Sequence, residues 1–130
     1  MGYIGTSIND SSVIVGSATA ALTDAAFLAA KFDDNGGIVL ADTAGELCLG
    51  ILPAEQGDIT AGEDVTVQIK ECGLWKTGEA VAAGAALATD AAGKCVTAAS
   101  GNFILGIALE AAAEADTVIK VQIVKAGFAA

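Results

Sequence analysis

The chain predicts an all-β fold: a small β-barrel or sandwich built from one unit of short strands used twice, with an extended N-terminal arm and at most one short helix. Three observations lead there. Asp34-x-x-Gly37, followed by Gly45-Glu46-Leu47-Cys48-Leu49-Gly50-Ile51, recurs 56 positions on as Asp90-x-x-Gly93, followed by Gly101-Asn102-Phe103-Ile104-Leu105-Gly106-Ile107. Val65 through Gly73 recurs as Ile119 through Gly127, now at 54 positions, so the connecting loop has lost two residues. Gly57, Gly62, Gly73, Gly78 and Gly84 punctuate short apolar runs at near-regular intervals, and the single proline, Pro53, follows such a run. The repeats are expected over about 27–73 and 83–127, inside one β-domain at 25–130.

Residues 1–24 stand outside the duplication. They are rich in Ser, Thr, Gly and Ala, with a loop cluster at Asn9-Asp10-Ser11-Ser12 and one strand-like run, Val13-Ile14-Val15. The segment is expected to be an arm that orders against a neighbouring subunit, with a frayed terminus as the plain alternative. Phe27–Phe32 and Ile38–Ala41 read as a hairpin around Asp33-Asp34-Asn35-Gly36-Gly37. A short helix from Asp24 to Phe32, capped by Thr23 or Asp24, competes with that reading. The second copy favours the hairpin, since Ala85–Thr89, Asp90–Gly93 and Lys94–Ala98 have the same form.

Leu47–Leu52 and Phe103–Leu109 are apolar runs bounded by turn residues, as in buried strands. Val65-x-Val67-x-Ile69 and Ile119-x-Val121-x-Ile123 alternate with period two, which places Thr66, Gln68 and Lys70 on the opposite face. Glu110–Ala115 is the remaining helical candidate, at most a turn or two.

Composition bounds the function. At 130 residues the chain is one domain, and 54% of it is hydrophobic, yet only 5% is aromatic and much of the rest is alanine. A methyl group buries little area at ~25 cal/mol per Å², so the core is thin and a partner is expected to supply part of the stability. The net charge is −10, with six lysines, no arginine and no histidine. Nucleic acid and anionic membrane surfaces are therefore poor partners. No run approaches the ~20 apolar residues that span a bilayer. Met1-Gly2-Tyr3-Ile4-Gly5 lacks the basic and apolar blocks of a signal peptide.

Cys48, Cys72 and Cys95 form an odd set with no C-x-x-C pair. Their counterparts by sequence are Ile104, Ala126 and Val39, so all three read as small hydrophobes in a protein made in a reducing cytoplasm.

The chemistry of catalysis finds few parts. Without histidine there is no Ser-His-Asp triad, Cys-His pair or histidine metal site. The adjacent pairs Asp33-Asp34 and Glu63-Asp64 point to opposite faces of an extended chain and read as turn formers. An EF-hand spacing is absent, which leaves a loose calcium site at Asp33, Asp34 and Asn35 as the one metal alternative. Gly78-x-x-Val81-x-x-Gly84-x-x-Leu87 also fits biotinyl and lipoyl carrier domains. The following turn, however, carries only Lys94 and no flanking methionine. No P-loop run is present. The expectation is a protein with no enzymatic activity and no cofactor.

With the repeat accounting for the scaffold, docking is expected of the unrepeated parts. The candidate interface residues are Tyr3, Ile4, Val13, Ile14 and Val15 in the arm, Trp75 between the copies, and Phe128 near the end. Trp75 has an alternative role as a cap on the core.

The second copy has the form G-x-x-V-x-A-G-x-x-L-x-T-D-x-x-G-K-x-V-x-A, carried by Gly78, Val81, Ala83, Gly84, Leu87, Thr89, Asp90, Gly93, Lys94, Val96 and Ala98. Leu105 to Glu110 and then Val118, Ile119, Val121 and Ile123 complete it. Over roughly 27–125 this resembles the tailed-phage head decoration, or capsid cement, proteins. The resemblance implies a β-barrel-like protein on the outer surface of an icosahedral virion. It further implies that the protein contacts the major capsid protein, with a homo-oligomer (a trimer favoured) as its working state. The alternative is a glycan- or ligand-binding β-domain displayed on a phage or cell, which would present exposed aromatics. Phe103 stands opposite Leu47 in the duplication and therefore reads as core.

Overall fold

The computed structural model describes residues 11–53 and 58–130. Over these it is all β, with no helix. Five strands come from the first part of the chain: β1 (Val13–Ser17), β2 (Ala29–Phe32), β3 (Ile38–Leu40), β4 (Gly50–Ile51) and β5 (Asp64–Gln68). Five more follow: β6 (Glu71–Lys76), β7 (Ala86–Thr89), β8 (Cys95–Thr97), β9 (Phe103–Ala108) and β10 (Val118–Phe128). They make two antiparallel sheets of the same order, β1-β5-β4-β2-β3 and β6-β10-β9-β7-β8. Single parallel bridges, Ala18 with Ile38 and Thr77 with Cys95, draw the two edges of each sheet toward each other. The sheets stop short of closed barrels, and the architecture is sandwich-like.

The matching strand orders make β1 the counterpart of β6. Of the segment expected to be an arm, residues 11–24 are thus built into the first sheet. Strand β1 pairs with β5 from Val13–Gln68 to Ser17–Asp64, and Ala18 and Leu22 are buried beyond it. The physical reason is that β5 needs a partner on that side, as β10 has in β6. Residues 1–10, including Tyr3 and Ile4, lie outside the described residues.

Two further details differ from the sequence reading. The hairpin counterpart of Asp90 is Asp33, one residue before Asp34. Asp33 Oδ1 accepts the N–H groups of Asn35 and Gly37 at 2.9 and 2.8 Å, while Asp90 Oδ1 accepts those of Ala92 and Lys94 at 2.8 and 2.9 Å. Gly36 and Gly93 follow with φ of 83° and 80°, the left-handed position this loop requires. The stretch Glu110–Ala115 holds bends around Ala112, whose backbone exchanges two 3.0 Å bonds with Val81, so it cannot be helical.

The core has two clusters. One lies within the first sheet, around Ile38, Leu52, Val65 and Val67. The larger one joins Leu87, Leu105, Ile119 and Val121 to Ala29, Cys48 and Ile51 on the back of the first sheet. Trp75 belongs to this second cluster, 0% exposed, with its indole N–H donating to the Gly93 carbonyl at 2.9 Å. Its expected interface role is therefore corrected: on β6 the side chain alternates inward, and the core encloses it. The same Gly93 oxygen accepts the Ala29 N–H at 2.8 Å, tying the repeats together.

Replacing Trp75 with alanine should cost about 3–5 kcal/mol, read as a lowered urea midpoint. A midpoint close to wild type would show that the cluster does not depend on the indole. Deleting residues 1–24 removes β1 and should abolish cooperative thermal unfolding, and a sharp, near-native melt would contradict the pairing described above.

Candidate interaction surface

The hairpins and turns that set the repeats also set the surface charge. Lys31, on β2, reaches Asp42 Oδ1 and Glu46 Oε1, each at 2.7 Å. The second oxygen of Glu46 accepts the N–H groups of Asp42 and Thr43 at 2.8 Å, so one side chain closes the loop and anchors the lysine. The two hydrogen-bonded carboxylates, Asp42 foremost, hold the Lys31 ammonium well above the ordinary lysine range. Lys94 meets Asp116 at 2.6 Å, raising the lysine and lowering the carboxylate. Asp33 is held down by the Thr19 hydroxyl first, then by the Gly37 and Asn35 amides. The Thr60 hydroxyl and amide do the same for Glu63. These groups are occupied with turns and ion pairs, and among the described residues no cluster of three Asp, Glu or Cys side chains converges as metal ligands.

The predicted interface residues end up in different places. Val15 stands 62% exposed on the outer face of β1, and its counterpart on β6, Leu74, is exposed as well. Val13 and Ile14 are half-buried, and Ile14 packs against the first core cluster. Phe128, 60% exposed, lies at the far end of β10, edge-on to Phe103 with ring centroids 5.4 Å apart. The structure brings none of these to Trp75, which is enclosed.

Sequence reasoning missed Phe32 and Leu47, which are 48% and 60% exposed. They border a groove of about 540 Å³ that also has Leu49, Cys48, Phe103 and Lys125 in its walls. The clue was available in the alternation. Phe32 ends its strand next to a turn, and its counterpart in the other hairpin is Thr89, a small residue. A smaller groove of about 370 Å³ lies between the start of β1 and the edge of β6, floored by Phe27, Leu52 and Pro53.

The cysteines are all free. Burial pushes the thiols of Cys48 and Cys95 up to about 12, consistent with their reading as small hydrophobes. Cys72 departs from that reading. It is exposed, because β6 turns it to the outer face beside Gln122.

These features define a class of protein: an all-β chain of two sheets with the same strand order, whose surface carries apolar side chains framed by paired charges. The particular family follows from its sequence, since the chain belongs to the phage cement proteins, which it matches over residues 17–123. In structure it is similar to the N base of the head fiber gp8.5 of bacteriophage phi29. The TM-score is 0.64 at 16% identity, and the match covers 91% of this chain and 98% of that one. At that identity the likeness shows the fold. No sequence among the curated proteins matches the chain.

Two solution properties follow. A disulfide reagent such as dithionitrobenzoate should titrate one thiol in the native protein and three in denaturant. Rapid reaction of all three in the native state would contradict the burial of Cys48 and Cys95. The lowered carboxylates Asp33, Asp42, Glu63 and Asp116 contribute stability that is present above the ordinary carboxylate range near pH ~4 and is lost as pH falls through their folded values. Urea midpoints should thus fall on acidification below pH ~4, and Asp33→Asn should flatten that limb. A midpoint independent of pH down to pH ~2 would contradict the assignment.

Proposed function

We propose that the chain is a capsid cement protein that binds the outer surface of an icosahedral phage head and reinforces it. In this reading it contacts the major capsid protein and works as a homo-oligomer, with a trimer favoured. The observation that carries the reading is the family match across residues 17–123. The head-fiber base of phage phi29 supports a virion setting for this fold. Charge supports the outer face. A chain of net charge −10 with no arginine would be repelled by packaged DNA, whereas it stays soluble and well separated from its neighbours outside the shell. Free cysteines support synthesis in a reducing host cytoplasm.

The mechanism is mass action. A protein that binds the assembled shell and not its unassembled subunits stabilises the shell by its binding free energy, multiplied over many copies. An oligomer that bridges neighbouring capsid subunits adds avidity to each contact. The thin, alanine-rich core is compatible with this division of labour, since the partner surface supplies part of the buried area.

Purified expanded heads should co-sediment the protein saturably at micromolar concentration, and decorated heads should melt at a higher temperature than bare ones. Free capsid protein should not bind. Absence of co-sedimentation with heads would overturn the reading.

A further inference from the structure

We propose that Leu47 and Cys48, with the groove beside them, form a strand-addition site for an extended segment of the capsid protein carrying one bulky apolar side chain and one carboxylate. The inference rests on the cement reading and adds to it where, and by what chemistry, the shell is gripped.

The duplication supplies the template. In the second repeat, Phe103 and Ile104 of β9 pair with Phe128 and Gly127 of β10. The Phe128 ring covers Phe103, which is left 7% exposed. The equivalent residues of the first repeat are Leu47 and Cys48, fixed by the pairing of Gly50 with Ala30 and of Gly106 with Leu87. There, among the described residues, the partner strand is missing. Strand β5 ends at Gln68, and the chain turns at once to begin β6, with Glu71 in the left-handed region at φ 72°. Among the described residues, nothing in the first repeat takes the place of the last residues of β10. Leu47 is 60% exposed, whereas the Cys48 side chain is buried at 2% and faces the second sheet. The Leu49 N–H donates to Ala30 on β2, so by strand alternation it is the Cys48 N–H that points to the open edge, and it has no hydrogen-bond partner among the described residues.

An added strand would complete that ladder through main-chain bonds and gain specificity from its side chains. Its apolar side chain would lie on Leu47 as Phe128 lies on Phe103. Phe32 and Leu49 widen the apolar floor. The carboxylate is called for by Lys125, which enters the groove from the β10 bulge at φ 48°. Lys31 in the same groove is matched by Asp42 and Glu46, whereas Lys125 makes none of the three ion pairs among the described residues. Desolvation lowers its pKa, so a carboxylate would restore what the ammonium loses. Asp34 stands at the rim and would disfavour a second acid there. The chain's own C-terminus is not the occupant in the native fold, because Ala129 is held by backbone bonds to Gly101 and Asn102.

The test combines head binding with hydrogen exchange, using expanded heads as the probe. Leu47→Lys and Lys125→Glu change side chains at the groove, so thermal midpoints should stay at the wild-type value. Each should weaken co-sedimentation with heads about tenfold or more. In the wild type, exchange at the Cys48 amide should slow about a hundredfold on heads, while the Leu47 amide, which points to the other edge, should change little. If the wild type sediments with heads while both variants bind equally well, or while the Cys48 amide gains no protection, the strand-addition site is overturned and the cement reading stands. If Leu47→Lys changes the sedimentation coefficient of the free protein and leaves head binding intact, the occupant is a second copy of this chain and the proposal fails. If the wild type does not sediment with heads, both fall together.

Discussion

One carbonyl oxygen holds the two halves of this molecule in register. The Gly93 carbonyl, at the tip of the β7–β8 hairpin, accepts the Ala29 amide of the first sheet and the Trp75 indole of the second. Gly93 can hold this position because its φ is 80° and its backbone lies against Leu28 and Ala29. A Cβ there would come within 3.3 Å of the Ala29 oxygen. The close approach brings the back of β2 and β4 onto the second sheet, and so creates the larger core cluster. Two further backbone bonds at this seam, Gly45 to Thr89 and Phe103 to Gly45, follow from the same approach.

The repeats share a topology while trading volume between positions. Gly16 and Trp75 occupy the same place on β1 and β6. A Cβ on Gly16 would meet the Ile38 side chain at 2.8 Å, so the first repeat fills that space from the opposite strand. In the second repeat the counterpart of Ile38 is Cys95, a smaller residue, and the space is filled by the indole. Packing at constant volume tolerates such exchanges, which is how two sheets of unlike residues can keep one strand order. The left-handed turn positions show the same freedom. Gly84 has Phe27 as its counterpart and Gly62 has Asp116, all with positive φ.

Much of this was legible in the sequence, and for identifiable reasons. The all-β class, the Asp–Gly hairpins and the alternating Val65–Val67 and Ile119–Val121 strands are local features, set by turn chemistry and pleat. The correspondence of β1 to β6 was not legible, since Val13–Ser17 and Glu71–Lys76 share no residue pattern and only the topology relates them. The apparent likeness of Glu71-Cys72-Gly73 to Lys125-Ala126-Gly127 misled for a related reason. Past Gln68 the first copy leaves its strand while the second continues, so similar residues serve different strands. Trp75 illustrates a third limit, because a lone tryptophan between repeats fits a seam and a surface equally well until the strand's facing is known. The exposure of Leu47 was hidden because it depends on there being no strand beside it among the described residues, and a missing neighbour leaves no mark in the residues that remain.

The lone parallel bridges at Ala18–Ile38 and Thr77–Cys95 have a consequence for crowding. An open sheet ends in two rows of idle peptide groups, and such rows recruit strands from other molecules. Here each sheet bends until its two edges meet at a single bridge, which shortens the ladder a stranger could extend. Bent edges of this kind disfavour edge-to-edge growth into fibres when many copies are crowded together. Sociability is then confined to the places where the fold leaves a strand out.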